Sequence, residues 1–439
     1  MSATMGASDG GAVFRRMGRN LVWLLGGRGF QAVASLVYLG VAARTLGPRG
    51  FGEFSLILAY GQAIANVAQL QSWQTVIRYG MIHLAGGASQ RLARLLGFTT
   101  LLDFAGAALG AAIALLAVPL VAGWLHWNPA EQGRAAWFGV ALLLSIGATP
   151  TGMLRLVDRF DLITYVQAVG PSVRLAGSLI AWATGAGVDA FLIAWAAAAL
   201  AQHAATWGTA LACSRLPIAF GPAAWRAAHS ENQGIWSFMI TTNAAGTVSL
   251  LTEQLATLAV GGAVGATAAG GYRIAARIAR ALARPIQIAA RIIYPEMARL
   301  HASADLATLD HVMARVSRYA LALAAAVIVI GVAGGPWLIR LLAGSAYDFA
   351  YATLAILAVG VAIDLSGFAL EPLLVAHGRA ATILRIRLVG AALFTVLLFA
   401  LLPMLDATAA AIATVMAALL GRIWMGRSVM ALPKGPQRF

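Results

Sequence analysis

The sequence predicts an all-α polytopic membrane protein with about twelve transmembrane helices in two pseudo-symmetric halves of six. Three observations predict this class: a very apolar composition, a regular succession of long apolar stretches, and an internal repeat. Of the 439 residues, 60% are hydrophobic and only 11% are charged. A water-soluble globule draws roughly a quarter of its residues from Asp, Glu, Lys and Arg, so this chain could not cover its own surface in water.

The apolar stretches define the expected spans. A helix needs about 20 mostly apolar residues to cross roughly 30 Å of hydrocarbon. Twelve such stretches occur, at 20–43, 53–76, 95–123, 135–154, 161–184, 188–212, 234–261, 268–294, 316–342, 350–375, 381–402 and 405–426. The first follows Arg15, Arg16 and Arg19, is too long for a signal-peptide core and lacks a small-residue cleavage site. These features predict an uncleaved first span.

Arginines are concentrated in alternate loops, which predicts the orientation of the chain. The expected cytoplasmic segments contain Arg78, Arg91, Arg94, Arg155, Arg159, Arg215, Arg226, Arg299, Arg315, Arg379, Arg427, Lys434 and Arg438. The opposite turns contain only Arg44, Arg49 and Arg134. Because cytoplasmic loops are enriched in basic residues, both termini are expected to be cytoplasmic.

Short loops leave no room for a soluble domain, and the spans divide the chain into five segments. These are a cytoplasmic tail at 1–19, a six-helix bundle at 20–213, a cytoplasmic linker at 214–233, a second six-helix bundle at 234–428 and a cytoplasmic tail at 429–439.

Charge and cysteine content exclude several classes of partner. The net charge of +15 would suggest nucleic acid in a soluble chain, but here the basic residues mark topology, so no nucleic acid is expected. The single Cys213 excludes an intramolecular disulfide and a multi-cysteine metal site. The seven histidines have no ligand spacing on any one helix face, so no metal is expected.

The two halves of the chain repeat at an offset of 218 residues. Leu46-Gly47, Gly52 and Phe54 correspond to Val264-Gly265, Gly270 and Tyr272, in each case between the first and second helix of a half. Glycine adopts positive φ without strain, as a tight turn requires, and the following aromatic residue is expected at headgroup level. An even number of helices per half gives both halves the same orientation, and such repeats place a substrate site at their interface.

The first of these turns carries a resemblance to a known family. Residues 43–52, ARTLGPRGFG, resemble the aR-x-LG-P-x-x-FG turn of bacterial Wzx-type polysaccharide or O-antigen flippases. These proteins belong to the multidrug/oligosaccharidyl-lipid/polysaccharide (MOP) exporter superfamily. Further similar positions are Asn20, Gln31, Arg155, Asp158, Arg159, Phe160, Gly271, Tyr272, Arg277, Tyr294 and Pro295.

The resemblance implies two six-helix bundles around a central cavity. It also implies a transporter in the bacterial inner membrane that moves an undecaprenyl-pyrophosphate-linked oligosaccharide, a polysaccharide or lipopolysaccharide repeat unit, to the outer leaflet. No catalytic residue and no cofactor are implied. With twelve helices the chain lacks the extra pair of the superfamily's lipid II flippases, which weighs against that role.

A stripe of arginines runs along one face of the eighth stretch. Arg273, Arg277, Arg280 and Arg284 recur at i, i+4, i+7 and i+11, followed by Gln287 and Arg291 on the same face. An arginine at the centre of the bilayer costs about 2.5–3.5 kcal/mol on insertion scales, so a stripe facing lipid is implausible. The hypothesis is a cationic cavity wall for a pyrophosphate, whose oxygens accept paired hydrogen bonds from guanidinium. The alternatives are that the end residues extend to the interface, or that the segment is an amphipathic helix on the membrane.

Other stretches carry matching polar faces. The first has Arg28, Gln31, Ser35 and Tyr38, the second Gln62, Asn66 and Gln69, and the seventh Asn243, Thr247, Gln254 and Thr257. Arg28, Gln31, Asn66, Asn243 and Gln254 are therefore candidate substrate-binding residues, together with the stripe. The alternative for each uncharged residue is a hydrogen bond between helices.

Four acids lie in the interior of the stretches, beyond their first two residues: Asp103, Glu253, Asp364 and Glu371. Intramembrane carboxylates are candidates for coupling to a proton or sodium ion. Alternatively, they neutralise arginines such as Arg28 or Arg385 across the bundle.

Three functions follow from these features, with the flippase favoured. A cation-coupled multidrug exporter of the same superfamily should have an acidic or aromatic cavity rather than an arginine stripe, and a membrane glycosyltransferase or polymerase needs catalytic acids in an outer loop. The expected partners are a lipid-linked oligosaccharide, membrane lipids, H⁺ or Na⁺ as a coupling ion, and polysaccharide polymerase or glycosyltransferases.

Overall fold

A computed structural model describes the backbone at residues 9–145, 147–283, 306–367, 370–376 and 379–431. Side chains are described from residue 29 onward within these ranges, except at 244–246, 248–249, 306–317, 372, 375–376 and 380. Arg284, Gln287, Arg291 and the side chain of Arg28 lie outside the described residues. The eighth predicted stretch, 268–294, is described as far as residue 283.

All regular secondary structure in the described residues is helical. The α-helices are α1 Asp9–Ala68, α2 Ser72–Ala85, α3 Ser89–Leu125, α4 Pro129–Leu143, α5 Thr149–Leu156, α6 Phe160–Ala183, α7 Val188–Ser214, α8 Pro222–Glu231, α9 Ile235–Ala263, α10 266–283, α11 Leu306–Val332, α12 Gly335–Leu342, α13 Tyr351–Ser366, α14 Leu370–Ala376 and α15 Ala380–Met430. One 3₁₀ helix, Ser345–Ala350, precedes α13.

Five helices in the described residues are long and apolar enough to cross a membrane, or six if the bent pair α11–α12 is one span. Two of the five are composite: the first extends from Gly29 to Ala85 over 57 residues and the last from Ala381 to Met430 over 50. Each is more than twice the roughly 20 residues of one crossing. Both α1 and α15 contain a non-helical residue, Gly47 and Asp406 respectively, so each of these two helices is a pair joined at a break. The first composite segment also includes α2, after the break at 69–71.

The described chain forms two compact units by backbone proximity. Unit 1 contains the described residues within 1–38, 64–119 and 132–244, and unit 2 contains those within 39–63, 120–131 and 245–439. The division into bundles at 20–213 and 234–428 stays a prediction.

Several predicted spans are interrupted where the sequence predicts continuous helices. The second breaks at 69–71, the fourth between Leu143 and Thr149, the ninth at 333–334 and the tenth after Ser366. The ninth bends by 65°, where Gly334 is followed by α12 with proline near its start. The prediction of continuous helices was wrong at these places. Hydrophobic periodicity does not show which groups will bond the free backbone N–H and C=O groups of a helix end.

One such group is Asp103 of α3, in unit 1. Its side chain is only 6% exposed. Oδ1 accepts a hydrogen bond from the Ser72 hydroxyl at 2.7 Å, and Oδ2 accepts from the Thr149 hydroxyl at 2.7 Å and the backbone N–H groups of Thr149 and Ala148 at 2.9 and 3.0 Å. The carboxylate therefore caps the N-terminus of α5, where helix N–H groups lack intrahelical partners.

The predicted linker at 214–233 is fastened to unit 1 and contains helix α8. Ala219 N–H donates to the carbonyl of Ala93 at 2.9 Å. Arg94 donates from both Nε and Nη2 to the carboxylate of Glu231. Gly97 allows this approach, because a Cβ there would lie 1.8 Å from the Ala219 carbonyl oxygen. The linker is thus part of the packed structure of unit 1.

The glycines of the repeat serve two purposes in unit 2. Gly47 and Gly265 have φ of +66° and +113°, which confirms the predicted turn conformation. Gly52 and Gly270 instead permit close backbone packing, since a Cβ on Gly270 would lie 3.1 Å from the Gly52 Cα. The aromatics that follow, Phe54 and Tyr272, are 1% and 6% exposed and pack inside unit 2, so their rings do not anchor the turn in the lipid headgroups. Their level in the membrane stays a prediction.

Arg44 of the same turn binds the end of helix α12. Its Nη2 donates to the carbonyls of Leu341 at 2.6 Å and Arg340 at 3.0 Å, and its Nε donates to the carbonyl of Leu342 at 3.3 Å. The last carbonyls of a helix lack intrahelical partners and carry partial negative charge. Arg44 therefore acts as a C-terminal cap supplied by another helix.

Replacing Arg44 with glutamine is expected to lower the free energy of unfolding by about 1–2 kcal/mol, as for charge-assisted hydrogen bonds at a partly exposed position. Chemical denaturation of the purified protein in detergent measures the change. Arg49→Gln is the control, because the Arg49 side chain is 87% exposed. Equal midpoints for both variants would exclude a capping role.

Candidate functional site

The arginine stripe forms the only accessible face of α10 between residues 271 and 280. Between residues 271 and 280, every residue is buried except Arg273, Arg277 and Arg280, which are half-buried. The apolar residues of this segment pack inside unit 2; Ile274 and Ala275, for example, are 0% exposed. The helix is therefore enclosed by protein on its other sides.

Helix α9 supplies the neighbours of the stripe. Arg280 Nη1 lies 2.6 Å from Glu253 Oε1, and the two side chains are 38% and 40% exposed. Next to Glu253, Gln254 is 5% exposed, and its buried Oε1 has no hydrogen-bond partner within the described residues. The buried Nε of Arg280 is also without a partner there. The structure thus brings the predicted residues Glu253, Gln254 and Arg280 to adjoining helices.

Other predicted binding residues belong to unit 1 and serve mainly to join helices. Gln31 Nε2 donates to the Gln167 carbonyl of α6 at 3.2 Å. Asn243 Oδ1 accepts from the Gln71 N–H at 2.5 Å, at the break between α1 and α2. Asn66 is half-buried. For Gln31 and Asn243 these contacts are hydrogen bonds between helices, the alternative to substrate binding given above.

The remaining acids have different surroundings. Asp103 caps α5. Glu371 of α14 accepts a hydrogen bond from Arg387 Nη2 at 2.6 Å, so two of the four acids, Glu253 and Glu371, neutralise arginines. Asp364 of α13 has no ion pair with a described residue. The described residues contain no group of three or more His, Cys, Asp or Glu side chains that could hold a metal ion.

Arg174 of α6 is an intramembrane arginine that the sequence analysis did not select. Its guanidinium carbon lies 3.7 Å from the ring centroid of Trp195 and 5.3 Å from that of Tyr38. Both rings are buried, at 6% and 3% exposure, and pack edge to face. The signal in the sequence is the position of Arg174 in the middle of an apolar stretch. In the structure the two rings stabilise the desolvated guanidinium by cation–π contacts.

Comparison with known proteins places these features in context. A family model described as polysaccharide biosynthesis protein matches residues 93–352. The inner membrane protein YghQ of Escherichia coli K12 is 30% identical over 290 residues, covering 65% of this chain and 81% of that protein.

Solved structures of the MOP superfamily share the fold. An inward-facing MATE multidrug resistance transporter aligns with a TM-score of 0.72 at 13% identity, covering 91% of this chain and 95% of the other. The lipid II flippase MurJ, in an inward closed conformation, aligns at 0.72 and 11% identity over 94% and 88%. A Pyrococcus furiosus MOP transporter with a binding pocket of reverse polarity aligns at 0.60 and 13% over 95% and 96%. These likenesses confirm the all-α polytopic membrane class.

Proposed function

We propose that this chain, which belongs to the polysaccharide biosynthesis protein family, is a flippase for an undecaprenyl-pyrophosphate-linked oligosaccharide. It would move the pyrophosphate and sugars from the inner to the outer leaflet of the inner membrane by alternating access, with both termini in the cytoplasm. The polyprenyl chain would stay in the membrane, so no covalent chemistry and no cofactor are required.

One observation carries the proposal: the arginines are the only accessible residues of α10 between 271 and 280. Arginine facing lipid is costly, and four such residues within one stretch favour a hydrated surface. Guanidinium groups donate paired hydrogen bonds to phosphate and stay charged when partly desolvated. Arg277 and Arg280 are therefore the proposed contacts for the pyrophosphate, with Arg273 nearby on the same face.

Charge complementarity favours an anionic substrate over cationic drugs. Glu253 and Glu371, which could attract a cation, are each paired with an arginine. The fold likeness alone does not distinguish these functions, because MATE and MurJ structures both align at 0.72. The arginine face supplies the distinction, since it repels cations.

The proposed ion-coupling carboxylate is Asp364. Among the four candidate acids, Glu253 and Glu371 are paired with arginines and Asp103 holds four hydrogen bonds within unit 1. Asp364 has no ion pair with a described residue. A proton or sodium ion is the expected partner. Transport by Asp364→Asn should lose its dependence on an imposed ion gradient.

The function is tested by deleting the gene in its own host and measuring surface polysaccharide and the lipid-linked intermediate. Arg277→Gln and Arg280→Gln should each restore transport about 10- to 100-fold less well than the wild type, because a charge-assisted hydrogen bond is worth about 1.5–3 kcal/mol. Arg280→Lys, which keeps the charge, should retain part of the activity.

Arg49→Gln is the matched control, since it removes an arginine that is 87% exposed and should complement fully. Membrane levels of each variant must be equal for the comparison. Full complementation by both glutamine variants, or resistance to cationic dyes without any change in surface polysaccharide, would overturn the flippase assignment.

A further inference from the structure

The ion pair of Arg280 and Glu253 joins two apolar helices, α9 and α10, of unit 2. Its Nη1–Oε1 distance is 2.6 Å. An arginine without a counter-ion in a membrane span costs several kcal/mol. Glu253 therefore supplies the negative charge that Arg280 needs whenever no other anion is bound.

This pair uses less of the guanidinium fork than four other ion pairs among the described residues, and resembles the single contact of Arg387 with Glu371. Four other arginines donate from both Nε and Nη2 to one carboxylate: Arg94 to Glu231, Arg134 to Asp189, Arg159 to Asp161 and Arg340 to Asp348. Arg280 meets Glu253 through Nη1, and its Nε has no partner within the described residues. Two-pronged contacts are the stronger geometry, so the contact with Glu253 leaves binding capacity unused.

The pair is also within reach of an incoming anion. Arg280 and Glu253 are 38% and 40% exposed, although the apolar residues that precede Arg280 on α10, from Ile274 to Ala279, are buried. Arg277 lies three residues earlier, at a spacing that brings Cβ atoms within about 5–6 Å on a helix. An anion that reaches Arg280 from the accessible face thus meets a second cation.

We propose that Glu253 is an exchangeable counter-ion of Arg280, displaced by the diphosphate headgroup of the substrate. This inference rests on the proposed function and names the residue that sets affinity for the headgroup. A diphosphate offers several acceptor oxygens and carries more charge than one carboxylate, so it can compete with Glu253 for the accessible part of the Arg280 guanidinium. When the headgroup leaves, Glu253 returns to Arg280, so the arginine is never bare and release is not prevented by excessive affinity.

Isothermal titration of the full-length purified protein with inorganic pyrophosphate tests the exchange. Removing the competing carboxylate in Glu253→Gln is expected to tighten pyrophosphate binding about tenfold, equivalent to about 1.4 kcal/mol. Arg280→Gln should weaken it by at least a similar factor. In the double variant the glutamine at 253 should have no further effect, because the two residues act on the same contact.

Glu53→Gln is the matched control: Glu53 also pairs with an arginine, Arg49, at 3.4 Å, and its loss should leave pyrophosphate affinity unchanged. Glu253→Asp keeps the charge on a shorter arm and should tighten binding by a smaller factor, which provides a reading if the glutamine variant does not accumulate. Unchanged or weaker binding in both Glu253 variants, with wild-type thermal midpoints, would overturn the exchange. The flippase function fails separately, if Arg280→Gln transports normally.

Discussion

Replacing Asp103 with alanine is expected to destabilise the protein by about 3 kcal/mol or more. The carboxylate accepts hydrogen bonds from Ser72, Thr149 and Ala148, and its side chain is almost fully buried. Each buried donor that is left unsatisfied costs about 1–3 kcal/mol, and two of these donors are backbone N–H groups at the start of α5. Chemical denaturation in detergent, followed by circular dichroism, measures the loss.

Asp103→Asn and Ser72→Ala are expected to destabilise the protein less than Asp103→Ala. Asparagine keeps one acceptor oxygen but turns an NH₂ group towards donors, so an intermediate loss is expected. Ser72→Ala removes one donor and leaves the other three bonds, so the loss should be about 1 kcal/mol. The anchoring role also predicts unchanged ion-gradient dependence in Asp103→Asn. A stable variant that has lost gradient dependence would instead assign ion coupling to Asp103.

The sequence predicts the class and the arginine stripe well because both depend on local regularities. Composition excludes a soluble globule, and 3.6-residue periodicity places Arg273, Arg277 and Arg280 on one face. That face is the accessible one in the structure. The sequence predicts that intramembrane acids can neutralise arginines, but it does not show that Glu253 pairs with Arg280, because the two residues are 27 positions apart on different helices.

The helix breaks could not be predicted for the same reason. The fourth stretch contains no charged residue, yet its first helix ends at Leu143 and a new one begins at Thr149. Pro150 is a local signal for this new start, but Asp103, which satisfies its N–H groups, is far away in sequence. The break after α1 likewise depends on Asn243, whose amide accepts from the Gln71 N–H. Periodicity identifies apolar segments, whereas tertiary partners decide where the backbone leaves the helix.

Gly52→Ala is expected to be the most damaging conservative substitution in the repeat, because the contact it disturbs is with backbone. A Cβ at this position would lie 1.9 Å from the carbonyl oxygen of Ala266. Because this oxygen belongs to the backbone, a change of side-chain rotamer cannot relieve the overlap. Overpacking typically costs about 1–3 kcal/mol, occasionally more, and a fixed backbone neighbour puts Gly52 at the upper end. A fall in thermal midpoint and in surface polysaccharide are the measurements.

Gly270 and Gly123 give this prediction a scale. A Cβ on Gly270 would meet the Gly52 Cα at 3.1 Å, a milder overlap, and a Cβ on Gly123 would meet nothing within 4 Å. Gly123→Ala should therefore be neutral or stabilise its helix by about 0.5–1 kcal/mol. The expected order of damage is Gly52, Gly270, Gly123. If Gly52→Ala and Gly123→Ala had the same thermal midpoint, the repeat glycines would serve only turn geometry. The expected order instead indicates that Gly52 and Gly270, at matching positions of the repeat, are in direct contact within unit 2.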